Sequence, residues 1–336
     1  MKVRESQFEL LRIIAMAMII MVHFNGVAVE KFLPLSNCSF SDVWGAEFLE
    51  SFAIIGVNLF VLISGYFGIR MSAKGMVKYV GWVLWYAVIL YLVVCCFYPE
   101  LFLPKYTQYA VSGITHSSQW FVTCYFMLMA LSPAINAVLH RTTYREHVII
   151  AGVLTVVNCL GGWWFEMAFN DTGYTVYHMV FIYWLGHVLR EAMQHHERFP
   201  WRWTAVVVYV ASLLGVVLMM QDMRYFKVIG YNNPLVVLES LALFTVFATM
   251  RFKSRAINWV ASSAFAVYLI HMHFSVYPHV LRPLLSNIYD TYGGTMYAVM
   301  ATGIGVAIYV VCILVDKPRA MLFDKLLAIR SSKTEK

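Results

Sequence analysis

Apolar stretches long enough to cross a lipid bilayer recur along the whole of this chain. A membrane-spanning helix needs about 20 mostly apolar residues. Ten stretches meet that requirement: residues 8–28, 48–67, 77–98, 119–139, 147–165, 175–193, 203–220, 234–251, 257–277 and 294–315. Because only helices and closed barrels satisfy their backbone hydrogen bonds inside a bilayer, the pattern predicts an all-α polytopic membrane protein with about ten transmembrane helices.

The charge content excludes a large soluble protein. Hydrophobic residues make up 61% of the 336 residues and charged residues only 13%, whereas soluble domains carry about 25% charged residues. The net charge of +7 fits cytoplasmic loops that face anionic lipid. No run of basic residues with interleaved aromatic residues forms a platform for nucleic acid, so we expect membrane lipids, and not nucleic acid, as the charged partner.

The basic residues also predict the orientation in the membrane. With the N-terminus in the cytoplasm, 20 of the 25 lysines and arginines lie on the cytoplasmic side, as the positive-inside rule requires. Both ends of the chain are basic, so the number of spans is even and both termini are cytoplasmic. We divide the chain into a membrane domain, residues 1–325, and a short polar cytoplasmic tail, residues 326–336.

The first span carries three ionisable residues: Glu9, Arg12 and His23. Eleven helical steps leave Arg12 and His23 about 20° apart around the axis and about 16 Å apart along it. Ionisable residues in a membrane helix usually face a polar interior and mark a pathway or a reaction. His23 could act as a general base, Arg12 could hold a phosphate, and Glu9 could pair with Arg12. A histidine bonded to a neighbouring helix and an arginine that snorkels are the alternatives.

Basic residues follow the second span. Arg70, Lys74 and Lys78 are spaced four apart and could form a stripe for phosphates, or they are ordinary positive-inside flanks. Ser64 and Gly65, at the end of the same span, would permit a close helix approach or a local break.

Later spans open or continue with polar residues that could bind an acceptor. Trp120 begins the fourth span, the pair Asn232–Asn233 after Tyr231 could bind sugar hydroxyls, and Glu239 is an intramembrane carboxylate. In the ninth span Tyr268 and His271 share a helix face, where acceptor binding and packing are equally plausible. The six cysteines lack metal-ligand spacing, and we expect no metal and no permanently bound cofactor.

These pieces occur in the order found in acyltransferase family three, the integral-membrane acyltransferases that modify bacterial surface glycans, and the sequence resembles that family over nearly its whole length. The matching pieces are Glu9-Leu-Leu-Arg12 with ten residues before His23, then Phe60-Val-Leu-Ile-Ser-Gly-Tyr66, Gln119-Trp-Phe121, Tyr231-Asn-Asn-Pro234 and Tyr268-Leu-Ile-His271. The Arg-x10-His element is fairly specific, whereas the later pieces gain weight from their order.

The resemblance implies ten core helices, a cytoplasmic acyl-CoA co-substrate, most often acetyl-CoA, and transfer of the acyl group to a carbohydrate hydroxyl, commonly at the periplasmic side. It carries over Arg12 and His23 as the essential pair. Many members have Arg-x-x-Arg after the second span. Here the position of the second arginine, three residues after Arg70, is Ala73, and Lys74 comes next. This departure leaves open whether Arg70 and Lys74 contact the donor.

We therefore predict a membrane O-acyltransferase of the bacterial inner membrane, which moves an acyl group to a cell-surface or exported glycan that could be lipid-linked. His23 would be the general base, Arg12 would hold the CoA phosphate or the thioester, and Glu9 would orient Arg12. Supporting or acceptor contacts would come from Ser64, Trp120, Tyr231, Asn232, Glu239, Tyr268 and His271. A covalent acyl-histidine is another route.

A transporter or exporter of a glycan or lipid-linked sugar, without acyl transfer, is the alternative from another class of protein. Intramembrane ionisable residues fit transport equally well. A carrier of acyl-CoA would need Arg12 but not His23, and an accessory protein of a glycan-export complex would need neither. The chain has no visible internal repeat, whereas many transporter folds have one.

Overall fold

The computed structural model describes residues 5–32, 40–114, 119–170 and 172–334, with the side chains of all of these except 40–43, 222 and 324–334. Every regular element in these ranges is helical. The α-helices are α1 (Ser6–Phe32), α2 (Phe40–Ile54), α3 (Gly56–Phe67), α4 (Ala73–Phe97), α5 (Pro104–Ser112), α6 (Trp120–Arg141), α7 (Tyr144–Thr155), α8 (Val176–His195), α9 (Trp201–Asp222), α10 (Tyr225–Val228), α11 (Pro234–Ala248), α12 (Arg255–Ala261), α13 (Ala264–His271) and α14 (Arg282–Thr334). A 3₁₀ turn covers Pro99–Leu101, and π-helical segments cover Val156–Trp164 and Tyr277–Leu281.

Seven segments of the described ranges are long and apolar enough to cross a membrane. They are Ser6–Phe32, Trp44–Phe67, Ala73–Phe97, Trp120–Arg141, Tyr144–Trp164, Trp201–Gln221 and Tyr277–Phe323. The protein is therefore an all-helical, multi-pass membrane protein.

Three predicted spans, the sixth, the eighth and the ninth, are not among these seven segments. The predicted sixth span coincides with α8, which is outside the set of seven. The predicted eighth span is the short apolar helix α11 of 15 residues. The ninth is divided into α12 and α13. Ten crossings and the cytoplasmic termini stay predictions.

A glycine marks the start of the predicted tenth span. Gly293 has φ 75° and ψ −177° and breaks the long helix α14, one residue before position 294. A backbone with positive φ costs a glycine little, because glycine has no Cβ. The break separates a first part of α14 from the apolar part that follows it.

The first helix lies in the interior of the bundle. It contacts α2, α3, α11, α12, α13 and α14. Two glycines bring α3 and α8 together, since a Cβ on Gly65 would overlap the backbone of Tyr183 and a Cβ on Gly186 would lie 2.6 Å from the carbonyl oxygen of Leu62. Small residues allow such close approach of membrane helices, so the close packing expected at Gly65 is present.

Candidate active site

The N-terminal part of α1 holds an ion pair between Glu9 and Arg12. Arg12 Nη1 lies 2.5 Å from Glu9 Oε1, and the Glu9 residue is only 5% exposed. The Arg12 side chain keeps 32% of its surface exposed. A guanidinium has five N–H donors, so Glu9 fixes one edge of Arg12 and leaves donors available to an anion. The pairing expected from the i, i+3 spacing is confirmed.

Tyr125 of α6 connects Arg12 with Ser64. The Tyr125 hydroxyl lies 2.9 Å from Ser64 Oγ, and its oxygen is close enough to Arg12 for an electrostatic interaction. Ser64 Oγ donates to the carbonyl of Phe60, so Tyr125 is the donor of the shared bond. The Tyr125 hydroxyl thus has Ser64 as a hydrogen-bond partner and Arg12 as a charged neighbour.

His23 contacts His271 across the interface between α1 and α13. His23 Nδ1 lies 3.3 Å from His271 Nε2, and the ring centroids are 5.4 Å apart. His271 is fully buried. On its other side, His271 Nδ1 lies 2.6 Å from the carbonyl oxygen of Val267. Two histidines that the sequence places 248 positions apart therefore form one pair.

These contacts assign the protons of both rings when the rings are neutral. A carbonyl oxygen only accepts hydrogen bonds, so His271 Nδ1 carries a proton and His271 Nε2 is the acceptor. His23 Nδ1 must then be the donor to His271. The remaining nitrogen, His23 Nε2, has a lone pair, which is the form that a general base requires. The assignment follows from the hydrogen-bond network, as for any histidine.

The C-terminal part of α1 is held by further polar contacts. The Tyr277 hydroxyl donates to the carbonyl of His23 at 2.8 Å. Asn25 Nδ2 donates to Glu50 Oε2 at 2.7 Å, and Glu50 is 2% exposed. Tyr225 also hydrogen bonds with Glu50. A buried carboxylate of α2 therefore contacts Asn25, which lies two residues after His23 on α1.

Aromatic rings cover the region near Glu50. Trp120, Tyr174 and Tyr231 form a cluster with centroid distances of 4.6 Å (Trp120–Tyr174), 4.8 Å (Tyr174–Tyr231) and 5.5 Å (Trp120–Tyr231). Tyr174 is 44% exposed. Phe121 packs against Trp120 at 6.1 Å and against Tyr268 at 5.5 Å, and Tyr268 contacts the His271 ring at 6.0 Å. The cluster joins two predicted acceptor residues, Trp120 and Tyr231, to the histidine pair.

Asn232 lies behind this aromatic cluster in a buried amide network. Its Nδ2 donates to the carbonyl of Asn170 at 2.5 Å. Asn170 in turn donates to Asn158, and the His178 ring contacts Asn158 and Asn58 at 3.1 Å and 2.9 Å. All five residues are at most 1% exposed. Asn232 thus supports the turn that carries Tyr231, and its own amide has no exposed surface for a sugar.

The other predicted site residues lie elsewhere. Glu239 is fully buried on α11, and neither of its oxygens has a hydrogen-bond partner among the described residues. Its charge would act on Tyr209 of α9. Arg70 and Lys74 are exposed, after α3 and at the start of α4. No hydrogen bond, ion pair or ring contact described for these residues joins any of the three to His23 or Arg12.

One group of described side chains has ligand atoms suitable for a metal ion. Atoms of His147, His187 and Glu191 lie within 4.8 Å of one another on α7 and α8. His147 Nδ1 is already 2.5 Å from Glu191 Oε2, which is a hydrogen-bond distance. The group is separate from the helices that carry His23 and His271. Cysteines 95, 96, 124, 159 and 312 are free thiols, and Cys38 lies outside the described residues.

A comparison with protein families decides the class of the chain. A family model described as "Acyltransferase domain" matches residues 5–317. The chain belongs to acyltransferase family three. No curated protein and no solved structure matches it.

Membership of acyltransferase family three makes the chain a membrane acyltransferase and confirms the family that the motifs indicated. Within this acyltransferase Glu9 and Arg12 pair near the start of α1, and His23 meets His271 and, through it, Tyr268 further along the same helix. Glu50 could have been found from sequence by the rule for intramembrane carboxylates that singled out Glu239. Tyr125 and Tyr174 carry no such signal, because tyrosines are common throughout this chain.

Proposed function

We propose that this acyltransferase transfers an acyl group, in the first instance acetyl, from cytoplasmic acyl-CoA to a hydroxyl of an exported or cell-surface glycan, in the bacterial inner membrane. The observation that carries the proposal is the contact of His23 Nδ1 with His271 Nε2 at 3.3 Å. It leaves His23 Nε2 as the one nitrogen of the pair with an available lone pair. A general base within reach of an acceptor hydroxyl is what O-acylation needs.

In the proposed reaction, His23 Nε2 removes the proton of the acceptor hydroxyl as the oxygen attacks the thioester carbonyl. The tetrahedral intermediate collapses, the carbon–sulfur bond breaks, and the thiolate of CoA takes the proton from His23. The products are an O-acyl ester and CoA with a free thiol. His271 keeps the proton on His23 Nδ1 during both steps and so acts as a positioning residue.

The roles of the other residues follow from their surroundings. Arg12, held on one edge by Glu9, would bind a phosphate of the donor or the thioester oxygen. The exposed Tyr174 would stack against the apolar face of a sugar ring, with Trp120 and the buried Tyr231 packed against it, because amphipathic aromatic rings present both an apolar face and a polar edge. Glu50, with its partners Asn25 and Tyr225, would order the wall between this platform and His23.

The test is transfer of label from radioactive acetyl-CoA to a crude glycan extract by purified protein in nanodiscs. We expect label in glycan with wild type and with the control His140→Ala, an exposed histidine at the end of α6. We expect none with His23→Ala. Full transfer by folded His23→Ala would overturn the proposed base. In proteoliposomes, movement of glycan across the membrane without CoA release would instead support the transporter.

A further inference from the structure

A cleft with a volume of about 670 Å³ opens beside the end of α3. Its walls come from α3, from the end of α8, from the start of α9 and from the segment after α11. The residues that matter for its chemistry are Tyr66, Arg190, Glu197, Trp201, Arg202 and Arg251. By the positive-inside prediction all three arginines lie at the cytoplasmic side.

The cleft carries a net positive charge. Three arginines, Arg190, Arg202 and Arg251, and one acidic residue, Glu197, line it. All three arginines are exposed, and Arg190 uses one nitrogen for a long bond of 3.4 Å to the carbonyl of Tyr66. A guanidinium offers paired donors that match phosphate oxygens. The charge and the donors favour a ligand with more than one phosphate.

Aromatic side chains supply flat walls between these charges. Trp201 packs against Phe199 with centroids 4.8 Å apart, and the guanidinium of Arg190 lies 6.0 Å from the centre of the Tyr66 ring. Flat bases stack on aromatic rings and on guanidinium planes. A nucleotide satisfies the phosphate donors and the aromatic walls with one molecule.

The cleft adjoins the inner end of the candidate active site. Tyr66 contacts Phe8 with ring centroids 5.2 Å apart, and Phe8 is one helical turn before Arg12 on α1. The rise along α1 from Phe8 to His23 is about 22 Å. A ligand bound in the cleft therefore needs a long, thin arm past Arg12 if its reactive end is to approach His23.

We infer that this cleft binds the phosphorylated adenosine end of the acyl-CoA donor, with Arg190 and Arg251 on its phosphates. This inference rests on the proposed function for the identity of the donor. The nucleotide would then bind in the cleft and not on the basic stripe of Arg70, Lys74 and Lys78 that follows the second span. Arg70 and Lys74, which do not line the cleft, have at most a secondary part.

Binding can be measured without any acyl transfer. We would titrate the protein, in nanodiscs of zwitterionic lipid, with adenosine 3′,5′-bisphosphate, with CoA and with 3′-dephospho-CoA. The variants are Arg190→Gln and Arg251→Gln, and the matched control is Arg145→Gln, an exposed arginine at the start of α7. We expect each cleft variant to weaken CoA binding about tenfold, as for one charge-assisted phosphate contact, and to reduce the preference for CoA over 3′-dephospho-CoA.

Three results would overturn the assignment: no binding of the bisphosphate by wild type, wild-type affinity in both cleft variants, or equal competition by inorganic phosphate, which would indicate a plain anion site. A thermal melt of each variant identifies misfolding, and Arg190→Lys then provides a milder change with the charge kept. Bisphosphate binding that is lost in the variants, without any acyl transfer by wild type, would support the cleft and reject the proposed reaction.

Discussion

His271 Nε2 lies 3.3 Å from His23 Nδ1, while His271 Nδ1 faces the carbonyl oxygen of Val267 at 2.6 Å. The carbonyl orients His271, and His271 orients His23. In many enzymes a carboxylate orients the catalytic base through a hydrogen bond. Here a neutral imidazole, that of His271, takes the place of the carboxylate. When both rings are neutral, the consequence of this arrangement is that His23 carries its lone pair on Nε2.

Changing His271 should therefore lower the rate of transfer without weakening substrate binding. We expect His271→Leu to lower kcat about 100-fold, the lower end of general-base contributions, with KM for donor and acceptor unchanged. His271→Gln, whose side-chain oxygen can accept from His23 Nδ1, should recover part of that loss. Steady-state kinetics on both variants checks this. Equal kcat values for His271→Leu and His271→Gln would mean that His271 contributes packing and does not position His23 through a hydrogen bond.

Arg12 and Glu9 should differ in the size of their effects. We expect Arg12→Gln to lower kcat/KM about 100-fold, because it removes a charged contact to the donor. Glu9→Gln, which keeps the shape of the side chain, should cost about tenfold, since it only loosens the guanidinium. The measurement is kcat/KM with acyl-CoA as the varied substrate. A larger effect of Glu9→Gln than of Arg12→Gln would contradict the assigned roles.

Tyr174 should contribute to acceptor affinity through its ring. It is 44% exposed and packs 4.6 Å from Trp120. We expect Tyr174→Ala to raise KM for the glycan about tenfold, a loss comparable to one aromatic contact, and Tyr174→Phe to change it less. Tyr292→Ala, at an exposed tyrosine of α14, is the control. An unchanged acceptor KM in Tyr174→Ala would remove the platform from the mechanism.

The contact between α3 and α8 should not tolerate a single added methyl group. In Gly186→Ala the new Cβ would lie 2.6 Å from the carbonyl oxygen of Leu62, and overpacking of this kind costs about 1–3 kcal/mol. Gly152→Ala on α7 is the control, because nothing lies within 4 Å of its Cβ position. Thermal unfolding in detergent should show a lower Tm for Gly186→Ala only. Equal Tm values would show that the helices can move apart.

An ion-paired carboxylate in the loop before α8 should make stability depend on acid pH. Hydrogen bonds from Arg224 and then from Lys227, the latter at 2.8 Å, lower the pKa of Glu166 from 4.5 to about 2. Because the folded pKa is the lower one, this contribution to stability is present above pH 4.5 and is lost as the pH falls toward 2. Glu166→Gln should have a lower Tm than wild type at pH 6, and the difference should shrink at pH 3. A difference that does not change with pH would exclude the ion pair.

Local features of the site could be read from the sequence, because they depend on the geometry of one helix. Glu9 and Arg12 pair at i, i+3 on α1. Arg12 and His23 are eleven helical steps apart, which places both on one side of that helix. The order of the motifs also identified the family. The regular pitch of an α-helix makes such relations independent of the rest of the fold.

Only the tertiary structure decided what surrounds these residues. His23 meets His271 from a helix 248 positions away, Tyr125 links Arg12 to Ser64, and Tyr174 completes the aromatic cluster. The sequence also predicted Asn232 and Glu239 as site residues, but Asn232 is enclosed in a buried amide network and Glu239 lies near Tyr209 of α9. The sequence determined which segments are helices and which residues share a helix face. Amphipathic periodicity is weak in a chain that is apolar on nearly all sides, so the sequence does not show which of those faces meet. The packing of the helices, set by contacts such as Gly65 on Tyr183, determined that.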